Sequence, residues 1–374
     1  MRIETKTMRN KSCSVSRVGF TLIKLLGVIA LLAAMVLLAR CSDLPPGDAT
    51  NYQTGESVVL VGETPVNLAF TPLQSKPVKV RSTYLDGLSQ TVQYELGRDY
   101  VLEASGQIRR TLNSRIPDFR TNVLYGKEDF DHTQFSGCGN HDFFVYVDYE
   151  YCEKWSPVSP PAELGSAALP ETCKKLLGGK KLRIVAFGDS ITAGGEASAP
   201  ELIFWQRWVV ALRKKYPSAT IEIINAATGG DSTESGLQRL PEKGLEQKAD
   251  LVLIGFGMND HNLVSVGGVP LEAFSDNLRE MIDRVRAGTG AEIVLYSTFP
   301  PNPKWHYGTN NMAAYAFATE AVAREKQTAF ADVYRNWQQF ASKKKPEDLL
   351  NNNINHPNDF GHWIYFQALM HIGL

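Results

Sequence analysis

From Lys181 onward the hydrophobic pattern alternates between two textures. Continuous apolar runs, "LRIVAF", "TIEIINA", "DLVLIGF", "EIVLYST" and "AFADVY", are separated by helical patterns. Those patterns are "LIFWQRWVVALRKKY", "LEAFSDNLREMIDRVRA", "NMAAYAFATEAVAREK" and a last one beginning near Phe360. Runs that are apolar throughout suit strands covered on both faces, and their alternation with helices suits parallel connections. Residues 181–374 therefore read as an α/β domain built on a parallel sheet. In such sheets functional groups collect beyond the C-terminal strand ends.

Upstream the texture differs. "ESVVLVG", "PVNLAF", "VKVRSTYL", "TVQYEL", "DYVLEA", "QIRRTL" and "DFFVYVDYEY" are short, β-branched or aromatic, and bounded by turn residues. Strands at that spacing predict an all-β sandwich accessory domain over residues 45–153, including a hairpin turned at Gly106. Prolines, glycines and small residues mark 154–180 as a linker with one short helix around Glu171 to Leu177.

The first 44 residues are different again. Arg2, Lys6, Arg9, Lys11 and Arg17 precede an apolar run from Gly19 to Ala39. A run of about 20 residues is long enough to span a bilayer, and the charge ahead of it holds the N-terminus in the cytoplasm. An N-terminal hydrophobic helix acting as export signal or membrane anchor is the expectation, with later residues in the envelope or secreted. "GFTLIKLLGVIALLA" resembles a prepilin leader with Lys24 at that family's glutamate position. "LARCSD" resembles a lipoprotein box around Cys41, with Arg40 at a position that is usually small. Export makes disulfides possible. Cys138 and Cys152 flank an apparent hairpin, and pairing between them stands level with unpaired buried thiols.

Composition narrows the function. The 374 residues carry 39 basic and 40 acidic side chains, so no global charge draws the chain to nucleic acid. No His, Cys, Asp or Glu cluster has metal-ligand spacing, and phosphate-loop and dinucleotide fingerprints are absent, so neither metal nor cofactor is expected. His132 and His141 are isolated and read as loop or core residues.

Chemistry concentrates at three strand ends and one loop. "FGDSITAGG" places Ser190 after the first strand of the α/β domain; "NAATGGDST" places Gly229 and Gly230 after the second; "GFGMND" places Asn259 and Asp260 after the third. "NNNINHPNDFGHW" places His356 ahead of the final helix. A serine hydroxyl needs an adjacent base at neutral pH, and an imidazole suits that task.

Together these blocks resemble the SGNH, or GDSL-type, hydrolase family over residues 181–374. The resemblance implies a three-layer α/β/α, flavodoxin-like domain with Ser190 as nucleophile and His356 as general base. The N–H groups of Ser190 and Gly230 and the amide of Asn259 would form the oxyanion hole. The family carries an aspartate three residues before the histidine; here that position is Asn353. Three readings stay open: Asn353 orients His356, a backbone carbonyl or another acid such as Asp359 does so, or the site is decayed and binds only. His362 reads as packing support, His261 as a substrate contact or a solvated loop residue, and Asp189 and Asp260 as loop holders. Asp231, Ser232 and Thr233 read as a helix start.

The sandwich-then-SGNH layout resembles carbohydrate esterase family two, which implies acetyl esters on polysaccharide. Trp205, Trp208, Trp305 and Tyr307 are candidates for a sugar-stacking wall, with Trp208 preferred as core. The expectation is an exported serine esterase acting on a small-molecule or polysaccharide ester, tied to the membrane through its N-terminal segment. A lipase or thioesterase and an idle carbohydrate-binding protein are the alternatives, and the oligomeric state is not legible.

Overall fold

The computed structural model describes residues 51–374. The hydrophobic helix expected at the N-terminus, with its anchor and processing signals, lies outside them. No helix among the described residues is long and apolar enough to cross a membrane.

Six strands form the first half: β1 (Asn51–Val59), β2 (Lys79–Arg81), β3 (Gln93–Tyr94), β4 (Tyr100–Leu102), β5 (Ile108–Arg110) and β6 (Phe144–Tyr151). Four of them make an antiparallel sheet in the order β1-β6-β2-β3, while β4 and β5 form a separate hairpin. Its turn uses Gly106 at φ +84°, where a Cβ would also strike Thr71. The β character of this region is as expected, but less of it is strand. "PVNLAF" contributes a single bridge, Val66 to Ile108, and "TVQYEL" the two residues of β3 and a bridge from Leu96 to Tyr100. The intervening loops are held by side chains instead of ladders. Arg110 donates to the carbonyls of Ser114 and Ile116 and to Asp118. Asp99 accepts from the backbone N–H of Glu95 and Arg115 and from the Arg115 guanidinium. That guanidinium holds the Asp99 carboxyl well below the usual carboxylate range.

The second half carries α1 (Pro170–Leu177), β7 (Lys181–Gly188), α2 (Phe204–Lys215), β8 (Thr220–Asn225), α3 (Thr233–Arg239), β9 (Leu251–Gly255) and α4 (Leu271–Thr289). It continues with β10 (Glu292–Tyr296), α5 (Met312–Lys326), β11 (Ala329–Ala331), α6 (Val333–Ala341), α7 (Pro346–Leu349) and α8 (Asp359–Met370). Helices α6 and α7 follow the expected "AFADVY" strand and were not legible in the pattern. The five strands are parallel in the order β8-β7-β9-β10-β11. Strands β9 and β11 are buried throughout, which accounts for their continuous apolar sequence. Two packed groups of helices, α3–α4–α5 and α2–α8–α6, flank the sheet. Strand order reverses between β7 and β9, and their C-terminal ends open the crevice where such folds bind ligands.

One continuous apolar core includes Val58, Val80 and Val147 of the β region together with Leu182, Ile254 and Leu369 of the α/β region. The expected linker is packed rather than free: Trp155 donates to Gln339, and Val158 exchanges two hydrogen bonds with Asn336 of α6. A buried ion pair crosses the same seam. Lys344 and Glu56 lie 2.6 Å apart with no solvent exposure, and Glu56 also accepts from the Ala69 N–H and from Tyr149. Cys138 and Cys173 are free thiols and Cys152 is disulfide-bonded, so the Cys138–Cys152 bridge is not formed.

Removing one partner of a buried pair strands the other charge. Lys344→Met is expected to destabilise the protein by about 3–5 kcal/mol, read by urea unfolding at pH 7, and Glu56→Gln in the same chain should recover part of the loss.

Candidate active site

Sheet topology brings the distant blocks together. Ser190 follows β7 by two residues, Gly229 and Gly230 follow β8, and Asn259 follows β9. His356 arrives on the loop between α7 and α8, and its Nε2 lies 2.7 Å from Ser190 Oγ across 166 residues of chain. A Cβ on Gly229 would sit 3.8 Å from Ser190 Cβ, so the second strand's loop faces the hydroxyl. Gly230 adopts φ +81° and has open space where a side chain would be, a combination that lets its backbone approach a ligand. The N–H groups of Ser190 and Gly230 donate to nothing among the described residues. Asn259 Nδ2 donates to the Asp231 carbonyl at 2.8 Å, which occupies one of its two hydrogens.

Two of these loops are wound around buried carboxylates. Asp189 Oδ1 accepts from Ile191 N–H at 3.0 Å, and burial pushes its carboxyl up to about 7. Asp260 accepts from the N–H and hydroxyl of Thr233 and from Gly257 N–H; burial pushes it up to about 6. Both hold loops, as their positions suggested. The helix start at 231–233 is α3, with Ser232 at the N-cap in a reciprocal pairing with Ser235.

The asparagine run shapes the histidine loop. Asn352 Oδ1 accepts three backbone N–H groups, from Ile354, Asn355 and His356, at 2.9–3.0 Å. Asn351 N–H donates to the His356 carbonyl at 2.9 Å. Asn358 caps α8 by accepting from Gly361 N–H and ties back to Ser57 and the Asp348 carbonyl. The β region clasps the same loop: Asn140 N–H donates to the Asn351 carbonyl at 2.6 Å, and its side chain donates to the Leu350 carbonyl. None of these bracing roles was visible before the fold was known.

Asn353 does not reach the histidine. It is buried at φ +62°, a left-handed conformation that asparagine tolerates better than most residues, and its side chain accepts from Asn302 Nδ2 at 3.3 Å. Asp359 accepts from Ser198 N–H at 2.9 Å. His356 Nδ1 is buried with no hydrogen-bond partner among the described residues, and Glu196 Oε1 stands 3.9 Å from it. Glu196 lies in the turn after Ser190 and was not singled out by its sequence context.

His362 is buried, stacks on Phe204, and lies with its Nε2 at 3.2 Å from the Gly195 carbonyl, which makes it a support for the Ser190 loop. His261 is neither solvated nor a substrate contact. It is buried and bonds the Met258 carbonyl at 2.6 Å, and burial lowers it to about 4. The aromatic wall is also absent in the expected form, because Trp205, Trp208 and Trp305 are all buried. Trp205 donates to the Thr192 carbonyl beneath the Ser190 turn, Trp305 packs with Phe130 and Ile354, and Tyr307 alone is partly exposed.

A hydroxyl on an imidazole at the reversal point of a parallel sheet is the arrangement of a serine-type hydrolase. The model of the GDSL-like Lipase/Acylhydrolase family matches residues 186–364. Esterase TesA of Pseudomonas aeruginosa is 31% identical over 153 residues, covering 40% of this chain and 70% of that protein. The uncharacterized lipoprotein YqeF of Bacillus subtilis is 30% identical over 175 residues, covering 45% of this chain and 70% of its own. Among solved structures, the acetylxylan esterase Axe2 from Geobacillus stearothermophilus aligns with a TM-score of 0.45 at 24% identity, over 52% of this chain and 94% of that one. The chain belongs to the GDSL-like lipase/acylhydrolase family, the SGNH hydrolases, and is a carboxylic ester hydrolase.

Burial of a neutral His362 has a consequence for stability. Desolvation lowers its folded value to about 3, while the unfolded chain titrates near 6.5. The unfolded state therefore takes up the proton first, and stability falls as pH drops from 6.5 toward 3. Between pH 7 and 5, His362→Gln is expected to lose about 2 kcal/mol less stability than the wild type, measured by urea unfolding at the two pH values.

Proposed function

We propose that this chain is an exported serine esterase that hydrolyses short-chain, chiefly acetyl, esters through Ser190 and His356. The observation that carries this reading is the 2.7 Å contact between Ser190 Oγ and His356 Nε2 at the sheet's reversal point. In the reaction, His356 Nε2 takes the hydroxyl proton as Ser190 Oγ bonds to the ester carbonyl carbon. The negative charge that develops on the carbonyl oxygen meets the N–H groups of Ser190 and Gly230 and the remaining amide hydrogen of Asn259. Such a donor typically lowers the barrier by about 3 kcal/mol. Collapse of the tetrahedral species breaks the bond to the alcohol, which receives the proton from His356. Water then repeats the sequence on the acyl-serine and frees the acid.

The surroundings of the hydroxyl favour a small acyl group. The groups beside it are small and polar: a Cβ on Gly229 would lie 3.8 Å from Ser190 Cβ and one on Gly195 3.5 Å from His356 Cε1, whereas a long acyl chain needs apolar walls. A carbohydrate carrier of the ester rests on the layout resemblance alone, since most of the aromatic candidates are buried. The envelope location draws support from the N-terminal apolar run, the disulfide at Cys152 and the lipoprotein named among the relatives.

Ser190→Ala and His356→Ala are each expected to lower kcat/KM on p-nitrophenyl acetate by about 10⁴-fold or more. Wild type should prefer the acetate over the octanoate ester by at least tenfold. Undiminished hydrolysis in Ser190→Ala would refute the mechanism; a preference for octanoate would instead assign a lipase or thioesterase-type substrate.

A further inference from the structure

We infer that Glu196, on the same loop as the nucleophile, is the carboxylate that positions His356 and stabilises its protonated form. This rests on the Ser190–His356 reading. The position that holds an aspartate in the resembled pattern is Asn353, and its side chain is engaged by Asn302. The other nearby carboxylates are committed elsewhere: Asp359 to Ser198 N–H, and Asp189 to Ile191 N–H. His356 Nε2 faces the serine, so Nδ1 is the ring atom that needs an acceptor, and Glu196 Oε1 is 3.9 Å away.

The local structure is built to hold that carboxylate in place. After Ser190 the chain doubles back through Gly194 at φ +95°, with Gly195 N–H donating to the Ser190 carbonyl at 2.8 Å. A Cβ on Gly194 would overlap Ile203 at 2.4 Å, so the turn depends on glycine. Glu196 follows at φ +66°, outside the range its side chain favours. One residue then ties acid to base. Asn351 Nδ2 donates to both the carboxylate and the backbone carbonyl of Glu196, at 3.0 and 3.2 Å, while Asn351 N–H donates to the His356 carbonyl. The adjacent His356 ring, ahead of the opposing effect of burial, holds the Glu196 carboxyl below the usual range, and His141 of the β region acts in the same direction. A separation of 3.9 Å is that of an ion pair, and such contacts tighten when substrate binds. With the carboxylate on Nδ1–H, Nε2 is left as the acceptor for the serine proton.

The Glu196 side chain is 39% exposed, so solvent weakens its field relative to a buried triad acid. Its loss should therefore cost less than the roughly 10⁴-fold seen for a buried aspartate. Glu196→Gln, which keeps shape and the bond from Asn351, is expected to lower kcat on p-nitrophenyl acetate by about ten- to hundredfold with KM within about twofold. Glu196→Ala should fall similarly and recover at least about fivefold in added sodium formate, which supplies a carboxylate to the vacated space and leaves wild type unaffected. A purely structural role would not respond to formate. Glu196→Gln within threefold of wild type, or Glu196→Ala indifferent to formate, overturns the assignment. Full activity in Ser190→Ala or His356→Ala would refute the underlying Ser–His reading instead.

Discussion

The Ser190–His356 hydrogen bond is the constraint around which the rest is arranged. It joins two loops 166 residues apart, and a displacement of about 1 Å is enough to impair catalysis. Neither loop is held by regular secondary structure at the contact itself. The serine side is a turn wound on the buried Asp189 and supported from below by Trp205 and His362. The histidine side is a loop wound on Asn352, whose single oxygen gathers three N–H groups. Both are polar knots inside a largely apolar fold, and their backbone geometry is fixed by the hydrogen bonds that converge on Asp189 and Asn352.

That arrangement gives the β region a physical part in the site. Asn140 grips the backbone at Asn351 and Leu350, and Ser57 is bonded to Asn358 and the Asp348 carbonyl. Phe130 N–H donates to the Lys304 carbonyl and its own carbonyl accepts from His306 N–H, the two bonds of its bridge to Trp305. The Glu56–Lys344 pair fixes the same seam at its buried end. The loop bearing His356 is thus held from the antiparallel half of the chain as well as from the parallel one. The placement of His356 therefore depends on both halves of the chain.

The sequence was most informative where chemistry and periodicity coincide. Apolar runs located the parallel strands because β9 and β11 are covered on both faces, and topology then brought three polar strand ends and the His356 loop to one edge. It was least informative where long-range geometry decides. Glu196 sits in "ITAGGEAS", where nothing but a pair of glycines marks the turn that swings it toward His356. Asn353 kept its place in the motif, yet its backbone turned to a left-handed conformation and its side chain to Asn302. Trp305 looked like a rim residue because of its polar neighbours, but Leu124, Phe130 and Ile354 enclose it. The upstream strands were overcounted because arginine–aspartate clusters hold the loops that β propensity assigned to ladders.

A serine is nucleophilic at neutral pH only when a base takes its proton, so covalent trapping reads the central contact directly. Incubation with a fluorophosphonate, followed by mass spectrometry of the tryptic peptides, should find one adduct per chain, on Ser190, and none after His356→Ala. Equal labelling of the His356→Ala protein, or an adduct on a different serine, would contradict the account.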